Sequence, residues 1–230
     1  MEILDFHAHI LPRVDHGSKG VEDGMRQLAM MQAVGVETVC ATSHFYPQML
    51  LPSEYVKERD ASLKNLLRAW GDAPRPHIIP GAEVLICLGM EEMEDLERLC
   101  MEGTNVLLLE MPLTERGWDP CLLHTAQGIA RRGIHPVLAH VDRYPPPSVE
   151  MLLDMGFTGQ INARSLTGLL QPKQLLRWIG QGSIVALGSD LHGCDPNGYS
   201  SFARLLKFRP RLCETVMKGT AMLLRNAKRY

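Results

Sequence analysis

Seven short apolar runs recur along the 230-residue chain, and a longer amphipathic stretch follows each of them. Runs of nearly continuous hydrophobicity are typical of strands buried on both faces, as in parallel sheets. The stretches between them are long enough for the helix that crosses over between parallel strands. The repeated order therefore predicts an α/β fold and favours an α/β barrel over an open sheet. The runs span residues 2–6, 36–42, 77–83, 105–111, 135–140, 158–163 and 183–190.

The intervening stretches carry helical signals. Apolar residues repeat at helical spacing before Gly35, a residue type that commonly ends helices. A second apolar stripe, from Val56 to Trp70, follows Ser53, which we expect to cap that helix. Further helices are predicted at 90–101, 120–132, 148–155, 172–180 and 202–206.

The chain shows no sign of a domain boundary. It has no glycine-rich linker, and the proline-rich segment RYPPPS (143–148) lies between a predicted strand and the helix that follows it. We interpret this segment as a stiff loop, so residues 1–230 are expected to form a single domain.

Composition excludes several classes of function. The net charge is −2 and like charges form no block, so we expect no binding to nucleic acid or to an anionic membrane surface. Neither a membrane span nor a signal peptide is visible, which makes the cytoplasm the expected location. The six cysteines show no C-x-x-C spacing, and none has the arginine six positions later that thiol-based phosphatases need. We expect reduced, partly buried thiols and no cysteine chemistry.

Polar residues of the types that bind metals cluster at the ends of the apolar runs. In a parallel barrel these ends open onto one face, so side chains distant in sequence meet there. Burying them is unfavourable unless they are paired or coordinated, and mixed imidazole and carboxylate ligands suit Mn, Fe or Zn. The residues are His7, His9, His16, His44, Glu83, Glu110, His140, Asp190 and His192, and Glu83 is a candidate bridge between two ions. We expect no such role for His77 and His135, which begin strands, or for His124 within a helix.

The motifs DFHAHILPRVDHG, TSH, GAE, LLLE, AHVDRY and GSDLHG occur in this order over nearly the whole chain. With them the sequence resembles the PHP (polymerase and histidinol phosphatase) superfamily. More narrowly it resembles the bacterial manganese-dependent protein-tyrosine phosphatases of capsular and exopolysaccharide synthesis. The resemblance implies a distorted (β/α)7 TIM-like barrel whose nine polar residues named above hold three divalent metal ions. Mn2+ is the implied metal, with Fe or Zn as alternatives. A phosphotyrosine protein, such as a bacterial tyrosine kinase, is the implied partner.

The resemblance also suggests how the reaction runs. A metal-activated hydroxide attacks a phosphomonoester, and no protein nucleophile is needed. Arg143, three residues after His140, matches an arginine that contacts the substrate phosphate. Asp15 has three open interpretations: it orients a metal ligand, donates a proton to the leaving group, or only shapes a turn. We expect the mouth of the site to be rimmed by Tyr46, Pro47, Tyr144 and residues 145–147.

Two positions depart from the pattern of the capsular phosphatases. Asp15-His16-Gly17 stands where they usually have Asp-Asp-Gly, which predicts altered metal affinity or preference. Asn197 lies near the position of an arginine that follows their final Asp-x-His, and the next arginine here is Arg204. The second departure predicts weak activity on phosphotyrosine or a preference for another phosphoester.

Three alternatives therefore stay open. One is a small-molecule phosphatase acting on histidinol phosphate or a sugar phosphate. Another is an amidohydrolase-type barrel, which also begins with H-x-H but ends its fourth strand with lysine, where this chain has Glu110. The third is a non-catalytic regulatory module stabilised by metal. The oligomeric state is not predicted.

Overall fold

A computed structural model describes residues 2–114, 117–168, 173–193 and 197–226. Within these ranges parallel strands alternate with helices, as the apolar runs predict. The strands are β1 (Leu4–Ala8), β2 (Thr38–Ala41), β3 (His44–Phe45), β4 (His77–Pro80), β5 (Glu83–Leu85), β6 (Val106–Glu110), β7 (His135–Leu138), β8 (Thr158–Asn162) and β9 (Ile184–Gly188). The helices are α1 (Val21–Val34), α2 (Pro52–Trp70), α3 (Pro120–Arg131), α4 (Pro146–Asp154), α5 (Lys173–Gly180), α6 (Ser200–Phe208) and α7 (Pro210–Asn226).

The strands form two parallel sheets, one in the order β1-β2-β4 and one in the order β3-β5-β6-β7-β8-β9. The second apolar run corresponds to β2, and β3 follows just beyond its end in the other sheet, whereas the third run covers β4 and the start of β5, which also belong to different sheets. At the second break the N–H of Gly81 still donates to the carbonyl oxygen of Ala41 in β2 (2.9 Å), whereas the N–H of Glu83 donates to that of Ser43 (3.1 Å), next to β3. The predicted third strand is therefore two strands.

The first and last strands are joined across the two sheets. The backbone N–H of Asp190 donates to the carbonyl oxygen of His7 (2.8 Å), and that of His9 donates to Leu191 (3.0 Å). Ala8 and Leu191 form an isolated parallel bridge. These bonds hold the carboxyl ends of β1 and β9 against each other.

Both faces of the central strands are buried, in agreement with their continuous hydrophobicity. Leu108 and Val137 pack in one apolar cluster, whereas Leu107 and Leu138, the neighbours of these residues in sequence, belong to the larger cluster that includes the helices. The alternation follows from the two-residue repeat of a strand.

Several helix boundaries differ from expectation. Gly35 ends α1 in the left-handed conformation (φ 84°), as predicted. Ser53 is not the cap of α2: the helix is capped at Leu51, whose N–H donates to the Glu54 carboxylate (3.1 Å). The predicted helix 90–101 is two short 3-10 turns, Met90–Glu92 and Leu96–Leu99.

Two further differences concern proline and the end of the chain. The stiff loop at 143–148 is shorter than predicted because Pro146 begins α4, a position where proline needs no N–H donor. The sequence pattern did not identify α7, which packs on β9 through a bond from the Thr220 hydroxyl to the carbonyl oxygen of Val185 (2.6 Å). Helix α5 begins at Lys173, and the predicted start at 172 lies outside the described residues.

Five cysteines of the described ranges are free thiols, and Cys40, Cys100 and Cys213 among them are buried, as expected. Cys194 lies outside those ranges. Among the helices that the structure describes, none combines the length and the apolar character needed to cross a bilayer.

Candidate metal centre

The carboxyl ends of the strands surround a cavity of about 750 Å³. Its wall includes six of the nine predicted ligands: His16, His44, Glu83, Glu110, Asp190 and His192. The other three, His7, His9 and His140, are fully buried beneath it. By contrast His77 and His135 begin β4 and β7, at the opposite face, and His124 lies within α3. The structure thus brings together the residues that the sequence selected.

Glu83 lies at the centre of the cluster. Its Oε2 is 3.1 Å from His7 Nε2, 3.2 Å from His9 Nε2 and 3.1 Å from His44 Nδ1, and its Oε1 is 2.9 Å from His140 Nε2. Four histidines, two of them from the end of β1, one from β3 and one from the end of β7, therefore converge on one carboxylate, which is itself 1% exposed.

The donor atoms are arranged as ligands of a divalent metal and do not satisfy one another fully by hydrogen bonds. His7 Nε2 and His9 Nε2 face one another at 3.0 Å. Glu83 Oε2 and His44 Nδ1 are both buried and lie 3.1 Å apart. Neither atom has a hydrogen-bond partner among the described residues. Ligand atoms on one ion with bonds of about 2.1 Å lie roughly 3 Å apart, which is the spacing seen here.

Three compact sets of donor atoms occur among the described residues, each within 4.8 Å: His9, His44 and His192; His7, His9 and Asp190; and His44, Glu83 and Glu110. His16 and His140 belong to none of these sets. His16 is exposed at the mouth, where its ring stacks on His44 and His192 at centroid distances of 5.0 and 4.7 Å. His140 Nε2 lies 3.5 Å from Glu110 Oε1. The sets overlap at His9 and His44, so they form one continuous cluster of candidate metal ligands.

Asp15 is placed to orient its neighbours. Its Oδ2 accepts hydrogen bonds from His9 Nδ1 (2.7 Å) and the His44 backbone (2.8 Å), and its Oδ1 accepts one from Gly17 N–H (2.8 Å). Burial raises the pKa of Asp15, but the bonds and charge of His9 outweigh it and hold the pKa well below its usual range. Three donors on this carboxylate fix its position and, through the bond to Nδ1, the orientation of the His9 ring.

A second supporting group comes from β8, which sequence reasoning left without a site residue. Gln160 Oε1 accepts from His7 Nδ1 (3.1 Å) and from the backbone N–H of His140 (2.7 Å), and its Nε2 donates to Asn162 Oδ1 (3.0 Å). Asn162 Nδ2 in turn donates to Asp190 Oδ2 (2.9 Å). The available signal was two amides at alternate positions of an apolar run, which places both on one face of the strand.

Two candidate ligands have unusual backbone conformations. His140 (φ 29°) and Asp190 (φ 54°) are left-handed, a region that costs on the order of 1–3 kcal/mol for residues other than glycine and is found mostly at functional sites. In each case the backbone N–H takes part in the site. The N–H of His140 donates to Gln160 Oε1, and the N–H of Asp190 donates to the carbonyl oxygen of His7. The strain is consistent with a site whose geometry is fixed by its surroundings.

Carboxylates control the protonation of the deepest histidines. Burial lowers the pKa of His9, but bonds to Asp15 and Glu83 overcome it and raise the pKa to about 10. Burial also lowers the pKa of His140, but the contacts with Glu110 and Glu83 outweigh burial and raise that pKa to about 9. Without a bound cation these two imidazoles carry protons at neutral pH, and a metal ion has to displace them.

The outer histidines behave differently. Burial, with the neighbouring charge of His9, lowers the pKa of His192 to about 4, and the same two causes lower that of His44. Both are therefore neutral at pH 7, which is the form that binds metals.

The remaining predicted residues lie around the mouth. Arg143 lines the cavity, with its Nη1 3.8 Å from Asp190 Oδ2. Tyr46 also lines it and stacks on His44 at 5.3 Å. Tyr144 is not a rim residue: it is buried, and its hydroxyl accepts a bond from the N–H of Met111 (3.0 Å). The described residues that line the cavity do not include Pro47 or residues 145–147.

Three other polar residues shape the wall. Asn197, at the position where the resemblance implies an arginine, lines the cavity, whereas Arg204 lines a separate surface groove with Phe208. Arg164, which follows β8, also lines the cavity and was not selected from the sequence.

Two curated proteins with similar sequences are tyrosine-protein phosphatases. CpsB of Streptococcus pneumoniae is 27% identical over 209 residues, covering 84% of each chain. YwqE of Bacillus subtilis (strain 168) is 26% identical over 243 residues, covering 97% of this chain and 92% of that protein.

Solved structures show the same fold. A crystal structure from work on YwqE of B. subtilis and CpsB of S. pneumoniae, described as unique metal-dependent tyrosine phosphatases, superposes with a TM-score of 0.77 at 24% identity, covering 99% of this chain and 96% of that one. A TatD family hydrolase of Entamoeba histolytica gives a TM-score of 0.57 at 9% identity, covering 97% of this chain and 98% of that one.

The family model described as capsular polysaccharide synthesis, CpsB/CapC, matches residues 3–197, which include every candidate ligand. This chain therefore belongs to the CpsB/CapC family of capsular polysaccharide synthesis.

Proposed function

We propose that this chain is a metal-dependent protein-tyrosine phosphatase that hydrolyses phosphotyrosine on a protein substrate. The observation that carries the proposal is the convergence of imidazole and carboxylate donors on Glu83, beside the guanidinium of Arg143 in an open cavity. Membership of the CpsB/CapC family and the activity named for its relatives CpsB and YwqE support the assignment.

The site requires the two sheets to act as one body. We infer that they form a single distorted (β/α)7 barrel in which the split strands count as one each. The backbone bonds between β1 and β9 support this arrangement, because they join the first strand of one sheet to the last strand of the other.

The centre is proposed to hold three divalent ions, with Mn2+ the expected species. The three donor sets would supply most of the ligands, with Glu83 shared between ions and with His16 and His140 completing the set. When bound, such ions supply a water of lowered pKa and positive charge that binds phosphoryl oxygens.

The residues of the chain then have separate tasks. Arg143 presents a planar fork of donors to the phosphoryl group, a charge-assisted contact worth about 1.5–3 kcal/mol. Asp15 orients His9, while Gln160 and Asn162 orient the ligands on the other side. Tyr46 offers an aromatic face at the mouth for the ring of a phosphotyrosine.

The deciding experiment pairs metal analysis of purified protein with hydrolysis assays with and without Mn2+. The substrates are phosphotyrosine peptide, histidinol phosphate and sugar phosphates. We expect Mn2+-dependent release of phosphate from the peptide, and loss of metal-dependent hydrolysis in His9→Ala and Asp190→Ala.

Other outcomes separate the competing functions. Much faster turnover of a small phosphate ester would identify a metabolite phosphatase, a reading that Asn197 in the cavity wall keeps open. Protein that is stabilised by Mn2+ but inert toward every ester would be a regulatory module. Full activity in His9→Ala would refute the site itself. A tyrosine kinase as the substrate and a cytoplasmic location stay predictions.

A further inference from the structure

A second guanidinium stands in the wall of the cavity. Strand β8 ends at Asn162, and Arg164 lies in the short 3-10 turn that follows, Ala163–Leu166. Among the described residues, Arg143 and Arg164 are the arginines and lysines that line the cavity. Whereas Arg143 has Asp190 3.8 Å away, the described part of the chain places no carboxylate within 4 Å of the Arg164 guanidinium. Arg164 is also solvent-exposed, so it is accessible to an incoming anion.

The two arginines belong to neighbouring turns. The N–H of Asn162 donates to Asp142 Oδ1 (2.9 Å), which ties the turn carrying Arg143 to the turn carrying Arg164. Asp190 lies beside both turns, because its Oδ2 contacts Asn162 Nδ2 at 2.9 Å and Arg143 Nη1 at 3.8 Å. Asn162 directly precedes the turn Ala163–Leu166, so the turn that carries Arg164 begins beside Asp190 and Arg143.

The negative charge of the cavity explains why a second cationic side chain is useful there. Glu83, Glu110 and Asp190 all face the cavity, and a phosphomonoester dianion has to approach them. Arg143 places one guanidinium group in the cavity wall. Asn197 is neutral at the position where the resemblance implies a second arginine. A guanidinium supplied from the end of β8 restores the second cation.

We propose that Arg164 is a second substrate-binding residue, which together with Arg143 binds the non-bridging oxygens of the substrate's phosphoryl group. The proposal rests on the proposed phosphatase function and deepens it. In this chain the second arginine comes from the turn after β8, and it replaces the one missing at position 197. Recognition is directed at the phosphoryl group and is independent of the residues that flank a phosphotyrosine.

The test compares Arg164→Met with Arg131→Met in the full chain loaded with Mn2+. Arg131 is an exposed arginine at the end of α3, just before β7 begins, so it lies at the opposite face. Two quantities are measured: the dissociation constant of inorganic phosphate by calorimetry, and KM for free O-phospho-L-tyrosine. We expect Arg164→Met to raise both about tenfold, equivalent to about 1.4 kcal/mol. Metal content and Tm stay unchanged, and Arg131→Met has no effect. Arg164→Gln serves as a second variant without the charge.

A rescue variant sharpens the result. Adding Asn197→Arg to Arg164→Met is expected to recover most of the lost phosphate affinity, because it returns a guanidinium to the same wall. Unchanged phosphate affinity in both Arg164 variants would overturn the proposal. If the wild-type protein hydrolyses no phosphotyrosine, the proposed function fails, while the calorimetric comparison still decides the role of Arg164.

Discussion

Replacing Gln160 by leucine tests whether β8 organises the metal centre. The Gln160 side chain is fully buried, and its amide oxygen accepts from two donors, His7 Nδ1 and the backbone N–H of His140. Leucine fills a similar volume but accepts no hydrogen bond. The variant therefore removes the orienting partner of one proposed ligand and releases the strained backbone of another, without touching a donor atom to the metal.

The size of the effect follows from these contacts. Each buried donor left without an acceptor costs about 1–3 kcal/mol, so two of them lower the free energy of unfolding by roughly 2–6 kcal/mol. Loss of a residue that orients metal ligands typically weakens metal binding about 10–100-fold. Gln160→Leu is expected to show both changes.

Thr104→Val is the matched control. The Thr104 hydroxyl also makes two buried bonds, to the carbonyl oxygen of Met101 (2.8 Å) and from the N–H of Val106 (3.0 Å), but at the amino end of β6. Urea unfolding of metal-free protein measures stability, and equilibrium dialysis measures Mn2+ affinity. We expect both variants to be destabilised and only Gln160→Leu to bind Mn2+ more weakly. Wild-type Mn2+ affinity in Gln160→Leu would refute the role assigned to β8.

Three further predictions follow from the same contacts. Asp15→Asn removes the charge that orients His9, so Mn2+ affinity in equilibrium dialysis should fall about 10–100-fold. Full metal content with abolished turnover would instead make Asp15 a proton donor. Gly188→Ala places a Cβ 2.5 Å from the Cβ of His7 and should cost about 1–3 kcal/mol in urea unfolding, whereas Gly180→Ala, which has open space, serves as the control. Equal stability of the two alanine variants would contradict the close packing. Because the pKa values of His9 and His140 are raised to about 10 and about 9, Mn2+ has to displace their protons, and its affinity should rise about tenfold per pH unit for each proton displaced near neutral pH.

The sign of the pH effect reverses for the metal-free protein. A histidine with a raised pKa in the folded state stabilises that state fully below its unfolded pKa, near 6.5, and loses the effect as pH rises through the folded value. Metal-free protein should therefore lose stability as pH rises from about 6.5 to the folded pKa values of His140 and His9, about 9 and about 10. Unfolding curves with and without Mn2+ check this, and an Mn2+ affinity that is constant from pH 6 to 8 would contradict the protonation scheme.

The sequence by itself determined the parallel α/β architecture and the set of residues that meet at the centre. Short continuous apolar runs are typical of strands buried on both faces, and polar residues at the carboxyl ends of parallel strands share one edge. This is why His7 and Asp190, 183 positions apart in the chain, were predicted as neighbours and are found 3.6 Å apart. The sequence left three interpretations of Asp15 open, and its three hydrogen bonds favour the one in which it orients a metal ligand.

The tertiary structure decided what local patterns do not encode. Gln160 received no role from the sequence, because its partners, His7 and His140, come from other strands. Tyr144 was assigned to the rim from its position after a strand. Its side chain is instead buried, and its hydroxyl accepts a hydrogen bond from the backbone N–H of Met111. Arg164 became a candidate only when the turn after β8 was seen in the cavity wall. Periodicity tells which face of a strand a residue occupies, whereas hydrogen-bond partners and cavity walls depend on segments that are brought together only by folding.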